Sequence, residues 1–306
     1  MDLFISIFTA TVIAATPLIF AALGELIVEK SGVLNLGIEG MMLMGAVFGV
    51  WAHFSGMPMT LAILIAIVAG ALSSLVFGIL ALTFMANQYA AGLALAIFGG
   101  GVSAFIGRGF GSTPVDAVQP IKIPWLSDLP FLGPLLFQFD PLVYLSLILF
   151  VAVSWFLYKS KAGLALRAIG ESPESAHAVG YPVIMIRYVA VLFGGAMAGL
   201  GGAYLSLVYT PLWVENMTAG RGWIALALVV FAAWRPIRVL LGAWLFGGMT
   251  ILQLQGQAIG LKIPTELLSA LPYIATIVVL VLISRNRMAM VLDFPASLAK
   301  PFRPSS

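Results

Sequence analysis

The sequence predicts an all-α polytopic membrane protein, a single transmembrane domain over residues 1–306 that forms a bundle of about nine helices. Two observations lead to this fold class. Charged residues make up only 9% of the chain, whereas a soluble domain usually carries about 25%. In addition, no Asp, Glu, Lys or Arg occurs between Glu39 and Arg108. Because so few charges cannot cover a water-facing surface, lipid must cover much of the chain.

The charge-free stretch must fold back on itself, because one helix of that length would run roughly 100 Å through a bilayer core of about 30 Å. Breaks at Ser55–Pro58 and at Asn87-Gln88 divide it into three predicted spans, 40–54, 59–84 and 89–107. The other predicted spans are Leu3–Gly24, Pro141–Tyr158, Tyr188–Val214, Val239–Leu261 and Leu267–Ser284. Gly222–Trp234 is too short to cross alone. It either continues Met217–Arg221 or is a half-helix that faces protein.

The loops carry charges that predict the orientation. Basic residues concentrate in the loop 159–187, in the turn 234–238 and in the C-terminal tail; they are Lys159, Lys161, Arg167, Arg187, Arg235, Arg238, Arg285, Arg287, Lys300 and Arg303. These three segments are predicted to be cytoplasmic. The loop 108–140 is Pro-rich and carries Asp116, Asp128 and Asp140, so it is predicted to be external. Counting spans from it places the N-terminus outside and the C-terminus inside.

Polar residues interrupt the apolar spans at three places where burial in lipid would be costly. The first is the segment from Glu29 to Gly40, which contains Ser31, Asn35, Glu39 and three glycines. Gly and Asn tolerate non-helical backbone. The segment therefore predicts a central broken helix whose free backbone groups line a polar pathway. An ordinary cytoplasmic turn is the alternative.

The second place is Asn87-Gln88, whose amides both donate and accept hydrogen bonds and would suit a neutral solute such as a base or a sugar. A tight turn explains this pair nearly as well. At the third place, Glu215 and Asn216 precede Arg221 beside the short span. Glu215 and Arg221 either form a salt bridge, the favoured interpretation, or cap the outer mouth of a pathway. The predicted substrate-pathway residues are Asn35, Glu39, Asn87, Gln88, Glu215 and Asn216.

A short helix is predicted inside the loop 159–187. Ser172 suits its N-cap, Pro173 its first position, and Glu174 the positive end of its dipole. Gly180 suits its end. A helix of about two turns is unstable in isolation. The loop therefore predicts either a docking element for a partner surface or a free loop helix.

Catalytic chemistry is not indicated. The chain has no cysteine, and His53 and His177 are far apart, so neither disulfides nor a metal site are predicted. There is no nucleophile–base pair and no phosphate-binding glycine loop with a lysine. Basic residues are nowhere dense enough to predict nucleic-acid binding. The sequence predicts a non-enzyme without a cofactor of its own, and a cycle driven by ATP would need another chain.

The run GELIVEKSGVLNLGIEGMMLMGA, residues 24–46, resembles the signature of permease subunits of ABC importers. The family is the branched-chain amino acid and sugar permease superfamily, and within it the nucleoside-type importers that work with a Bmp-like lipoprotein or periplasmic binding protein. Three further segments match the same pattern in order; they are Asn87-Gln88 followed by Gly92-Leu-Ala, 167–180, and 220–227. The likeness covers nearly the whole chain.

The resemblance implies a multi-pass inner-membrane subunit that imports nucleosides or related purine-type solutes. It implies that 167–187 carries the coupling helix that docks on a separate ATPase. The residues expected to serve this docking are Glu171, Ser172, Pro173, Glu174, Ala176 and Gly180, with Ala176 and Ala178 as small faces that enter a groove. A second, unlike permease is implied as well, with this chain as the shorter of the two. Alternatives are a same-fold importer of sugars or branched-chain amino acids, and a secondary transporter that uses intramembrane carboxylates, for which Glu25, Glu29 and Glu39 are the candidates.

Overall fold

The computed structural model describes residues 2–111, 113–121, 124–127, 132–258 and 293–303, together with isolated positions between 267 and 278. Within these residues the chain is helical, and its sheet-like pairing is limited to one isolated bridge between Pro114 and Leu212. The helices are α1 (Asp2–Lys30), α2 (Ile38–Phe54), α3 (Met59–Gly78), α4 (Gln88–Gly107), α5 (Leu132–Leu136), α6 (Pro141–Lys159), α7 (Lys161–Glu171), α8 (Pro173–Ala178), α9 (Val183–Tyr204), α10 (Arg221–Phe231) and α11 (Pro236–Ala258). Helices α3 and α9 each continue as a π-helical segment, Ile79–Thr83 and Leu205–Tyr209.

Six of the described helices are long and apolar enough to cross a membrane: Phe4–Lys30, Met59–Thr83, Gln88–Gly107, Pro141–Lys159, Val183–Tyr209 and Pro236–Gln257. Helices α2 and α10 are apolar but shorter, with 17 and 11 residues. The all-α polytopic class is therefore confirmed. The count of about nine spans stays a prediction, because most of the predicted span Leu267–Ser284 lies outside the described residues.

Two predicted spans are too short at their charged ends. Helix α1 continues beyond Gly24 to Lys30 and carries Glu25 and Glu29 buried inside it. Helix α9 begins at Val183 and contains Arg187, which is 1% exposed and not part of the cytoplasmic loop. The prediction ended both spans at the first charge. These ionisable side chains are instead tolerated because each has a hydrogen-bond partner within the protein.

Helix α9 lies at the centre of the bundle and packs against α1, α2 and α3. Its contacts run through glycines that bring helix backbones together. A Cβ on Gly199 would overlap the carbonyl oxygen of Ala66 in α3, and a Cβ on Gly45 in α2 would overlap the carbonyl oxygen of Gly199. Small residues allow this approach, which is how helices associate in lipid. The glycine-rich stretch of α9 is therefore a packing surface.

We expect Gly199→Leu to lower the stability of the bundle by about 1–3 kcal/mol or more, because the added atoms have no space between three backbones. The matched control is Gly101→Leu in α4, since a Cβ added at Gly101 would meet no heavy atom within 4 Å. Thermal unfolding of both purified variants in detergent is the measurement. Equal melting temperatures for the two variants would contradict the packing role of Gly199.

The segments predicted for opposite sides of the membrane lie at opposite ends of the bundle. At one end the external segment joins the loop after α9, where the Val115 amide donates to the Pro211 carbonyl at 2.8 Å. At the other end the three basic segments meet: the Ser297 amide donates to the Gly170 carbonyl at 2.9 Å, and Arg235 Nε donates to Asp293 Oδ2 at 2.6 Å. The positive-inside rule predicts that this second end, called the cytoplasmic end below, faces the cytoplasm.

Candidate functional site

Glu39 connects the starts of two short helices. It lies in the first turn of α2, and its carboxyl group meets the N-terminus of α10. Oε1 accepts hydrogen bonds from Thr218 Oγ1 at 2.5 Å and from the Gly220 amide at 2.9 Å, and Oε2 accepts from the Gly222 amide at 2.6 Å. Free amides and the helix dipole make a helix N-terminus favourable for a carboxylate. Glu39 therefore holds α10 in register with α2.

The backbone around this contact needs glycine. A Cβ on Gly222 would lie 2.6 Å from the backbone nitrogen of Glu39, so only glycine lets the two helices approach. Gly220 has a φ of 82° and the preceding Ala219 has a φ of 47°. A left-handed alanine is a strained conformation that persists only where its surroundings fix it. The three hydrogen bonds to Glu39 provide this fixation.

Helix α10 does not cross the bundle. Its 11 residues measure about 16 Å, roughly half of a bilayer core. Its N-terminus contacts Glu39 within the polar interior, and its other end lies beside the cytoplasmic turn that contains Arg235. Of the two alternatives that the sequence left open for Gly222–Trp234, the structure shows the half-helix.

The segment between α1 and α2, residues 31–37, is non-helical and almost wholly buried. Three of its backbone amides donate to side chains, and the amides of residues 31–33 donate to backbone carbonyls near the end of α1. Gln88 Oε1 accepts from the Leu34 amide at 2.9 Å, and Glu25 Oε1 accepts from the Asn35 amide at 3.1 Å. Asn35 Oδ1 accepts from the Gly37 amide at 2.9 Å. Irregular backbone at membrane depth is tolerated only where protein or a cavity surrounds it, as here.

Two buried polar atoms beside this segment have no hydrogen-bond partner among the described residues. Glu29 Oε2 accepts from Trp234 Nε1 at 2.5 Å, but Glu29 Oε1 is unpartnered. Gln88 is 4% exposed, and its Nε2 is unpartnered as well. Buried polar groups normally have partners. An acceptor and a donor are thus free close to the irregular backbone.

The structure divides the six predicted pathway residues into two groups. Asn35, Glu39 and Gln88 are buried in the polar interior. Asn87 is exposed and caps α4 by accepting from the Ala90 amide at 3.1 Å, which matches the turn alternative. Glu215 and Asn216 are exposed in the loop before α10, outside the polar interior.

The favoured salt bridge between Glu215 and Arg221 is absent, since no ion pair within 4 Å joins these two described residues. The Arg221 guanidinium donates instead to the carbonyls of Met217 and Thr218, at 3.4 and 3.3 Å, and lies over the Tyr209 ring. It thereby stabilises the loop that positions α10. Arg221 is therefore part of the scaffold around Glu39.

Sequence reasoning missed Thr218, Trp234 and Arg187. Thr218 and Trp234 are the partners of Glu39 and Glu29, and their separation of 179 and 205 residues from these carboxyls hides the pairing. Arg187 donates to the Ser31 carbonyl at 3.0 Å and so joins α9 to the irregular segment. A buried charge in an apolar helix was the available signal for Arg187, but it was assigned to a loop.

The predicted docking helix forms at the cytoplasmic end as α8. Ser172 caps it by accepting from the Ser175 amide at 3.3 Å, Pro173 is its first residue, and Gly180 follows it with a φ of 96°. Ala176 does not offer the exposed small face that the sequence predicted. It is buried against Ile169, Val183 and Phe302 of the same chain, in a cluster at the cytoplasmic end.

The outward face of this segment consists of other residues. Glu171, Glu174, Ala178 and Val179 are exposed, and Val179 is 79% exposed. An exposed valine beside two carboxylates is a surface that a partner can cover. Among the described residues, no group of three or more His, Asp or Glu side chains could hold a metal ion.

The long apolar helices, packed around the two short helices that meet at Glu39 and the buried irregular segment, define a multi-pass membrane protein. Residues 7–280 match the family described as the permease component of the branched-chain amino acid transport system, and the chain belongs to this family. It is a multi-pass protein of the inner membrane. Permease components of ABC transporters are not themselves enzymes.

Three relatives are similar over most of their length. The chain is 41% identical to a provisionally named glucose ABC transporter permease of Haloferax volcanii, with 89% of each chain covered. It is 37% identical to the guanosine ABC transporter permease protein NupQ of Bacillus subtilis, again with 89% of each chain covered. It is 32% identical to the nucleoside ABC transporter permease protein NupC of Lactococcus lactis, over 88% of this chain and 89% of the relative. No solved structure matches the chain.

Proposed function

We propose that this chain imports nucleosides or related purine-type solutes as the transmembrane subunit of an ATP-driven importer. Two of the relatives are named for nucleosides or guanosine. The proposed pathway rests on one observation, the buried junction formed by residues 31–37, Glu39 and the start of α10. There a free carboxyl oxygen on Glu29 and a free amide donor on Gln88 lie close to irregular backbone. Such groups suit the neutral hydrogen-bonding edges of a base or a ribose.

We propose that solute passes along the junction when α2 and α10, joined through Glu39, move together relative to the rest of the bundle. Discontinuous helices line solute paths in other transporters because their free ends supply polar groups at membrane depth. Asn35, Glu39 and Gln88 would line the central part of the path, and Glu215 and Asn216 its external mouth. Asn87 does not line the path in this proposal. It caps α4 and thereby fixes Gln88 at the start of that helix.

The family implies an ATPase and a solute-binding protein as partners. We propose that α7 and α8 dock on that ATPase through the exposed residues Glu171, Glu174, Ala178 and Val179. We also propose a second, unlike permease as the other half of the transmembrane unit. The exposed apolar side chains on α4, such as Ile97, Phe98 and Phe105, are available either to it or to lipid.

The substrate is tested by uptake in cells that express the chain with its ATPase, second permease and binding protein. We expect uptake of labelled guanosine that excess adenosine or inosine inhibits, and that excess glucose does not. The glucose-transporter relative makes glucose the second candidate. Glucose uptake that is insensitive to excess nucleosides would overturn the nucleoside proposal in its favour.

The energy source is tested in the same cells. Uptake should persist when an uncoupler removes the proton gradient, and it should stop when the ATPase carries an inactivating substitution. A secondary transporter using Glu25, Glu29 or Glu39 would show the reverse pattern, because its driving force is the ion gradient.

A further inference from the structure

The C-terminal segment Asp293–Arg303 lies between the docking helices and the irregular segment at the cytoplasmic end. Ser297 contacts the end of α7: its amide and its Oγ both donate to the Gly170 carbonyl, at 2.9 and 2.7 Å. Two residues further on, the Ala299 amide donates to the Gly32 carbonyl at 3.1 Å. The tail thus binds a docking helix on one side and the start of the irregular segment on the other.

Arg187 ties the same parts together from α9. Its Nε donates to the Ser31 carbonyl at 3.0 Å and its Nη2 donates to Ser297 Oγ at 3.1 Å. Its Nη1 is 3.5 Å from the Lys300 carbonyl. No carboxylate of the described residues lies within 4 Å of this buried guanidinium. A buried cation without a counter-ion requires such hydrogen bonds, so any movement of one of these segments strains the others.

Phe302 adds an apolar contact to the same link. Its ring is buried against Ala176 and lies edge-on to His177 with ring centroids 5.7 Å apart. On its other side it lines a small cavity together with Gln88 and Arg187. Gln88 is the residue that accepts from the Leu34 amide. The tail therefore contacts α8 and lines the same small cavity as the side chain that holds the irregular backbone.

Asp293 anchors the beginning of the tail. Its carboxylate accepts from Arg235 Nε at 2.6 Å, and Lys30 at the end of α1 donates to its backbone carbonyl at 2.7 Å. The hydrogen bond to Asp293 also raises the pKa of Arg235. The tail is thus fixed at the two chain positions where α1 ends and where α11 begins.

We propose that the segment Asp293–Arg303 is a strut that transmits movement of α7 and α8 to residues 31–37, with Ser297 and Arg187 as its positioning residues. The proposal rests on the proposed function, in which α7 and α8 dock on the ATPase. A displacement of Gly170 carries Ser297 with it, and through Arg187 and Ala299 it carries Ser31 and Gly32. Breaking the link instead would leave buried donors without acceptors.

The test is the ratio of solute imported to ATP hydrolysed by the complete importer carrying Ser297→Ala. We expect this ratio to fall by about fivefold or more, with hydrolysis and the amount of assembled importer retained, because the hydroxyl link is lost. The matched control is Ser55→Ala. Ser55 also donates its hydroxyl to a backbone carbonyl, that of Trp51 at 2.8 Å, but it is exposed between α2 and α3.

Arg187→Lys provides a second arm, because lysine keeps the charge but lacks the fork that reaches three acceptors. Its ratio should also fall, and the double variant with Ser297→Ala should show little additional loss, since both residues belong to one link. An unchanged ratio in Ser297→Ala, losses that multiply in the double variant, or a fall fully matched by loss of assembled protein would overturn the strut. A Val179→Asp variant, which changes only the exposed end of α8, tests docking separately from the strut. Normal ATPase binding by this variant would show that α8 does not dock there.

Discussion

Replacing Glu39 by leucine should abolish uptake and leave little correctly folded protein in the membrane. Within the described part of the chain, the substitution removes the only acceptor for the Thr218 hydroxyl and for the amides of Gly220 and Gly222. Each buried donor left unsatisfied costs about 1–3 kcal/mol. The same contact holds Ala219 in its strained conformation, so the loop before α10 should lose its fixed geometry as well.

Two further variants make the Glu39 result interpretable. Glu39→Gln keeps one acceptor oxygen at nearly the same volume, and its stability should lie between that of Glu39→Leu and the parent. Glu215→Leu is the matched control for stability, because this glutamate is exposed and forms no ion pair with the described residues. Melting temperature in detergent and solute uptake are the measurements. A Glu39→Leu protein as stable as the Glu215→Leu protein would show that the carboxyl group does not fix α10.

The charge pattern predicted most of the fold. The charge-free stretch after Glu39 forms three helices with breaks at the two predicted places, and the basic segments meet at one end of the bundle. The prediction succeeded because burying a charged residue in lipid is costly, and this cost can be judged for each residue without knowing its neighbours. It failed for Glu25, Glu29 and Arg187. Those side chains lie inside helices because segments outside their own helix supply their partners.

The candidate site was predictable only in part, for the same reason. The local signals of Gly and Asn correctly marked residues 31–37 as a non-helical segment, and Ser172, Pro173 and Gly180 marked α8. The contact between Glu39 and Gly222 depends on a pairing across the bundle that no local pattern encodes. Burial of Ala176 likewise depends on the tail residue Phe302. The small side chain of Ala176 was predicted to be a docking face, but it forms a packing contact within the chain.

The site and the strut form one continuous set of contacts through the molecule. From α7 the contacts pass to Ser297, to Arg187 and to the start of the irregular segment. That segment leads directly into α2, whose Glu39 binds the start of α10. An ATPase that moves α7 and α8 can therefore bias the position of both short helices. It does so only if it contacts α8 differently in its open and closed states.

Val179→Asp should reduce co-purification of the ATPase by about tenfold or more and reduce uptake in proportion, while the permease stays folded. Val179 follows α8 and is 79% exposed, so its side chain is free to enter a partner surface. Burying an unpaired carboxylate in such an interface is costly, and about 1.4 kcal/mol already corresponds to tenfold weaker binding. The folded chain should tolerate the change, because the side chain makes few internal contacts.

Two control variants separate docking from folding. Val214→Asp makes the same substitution at an exposed valine at the opposite, external end, and it should leave ATPase binding unchanged. Ala176→Asp places the carboxylate in the cluster with Ile169, Val183 and Phe302, so it should lower the melting temperature of the permease itself. The measurements are ATPase recovered per permease, melting temperature and uptake. Normal ATPase recovery and normal uptake with Val179→Asp would show that this end of α8 is not the docking surface, because a carboxylate buried in the interface would weaken ATPase binding.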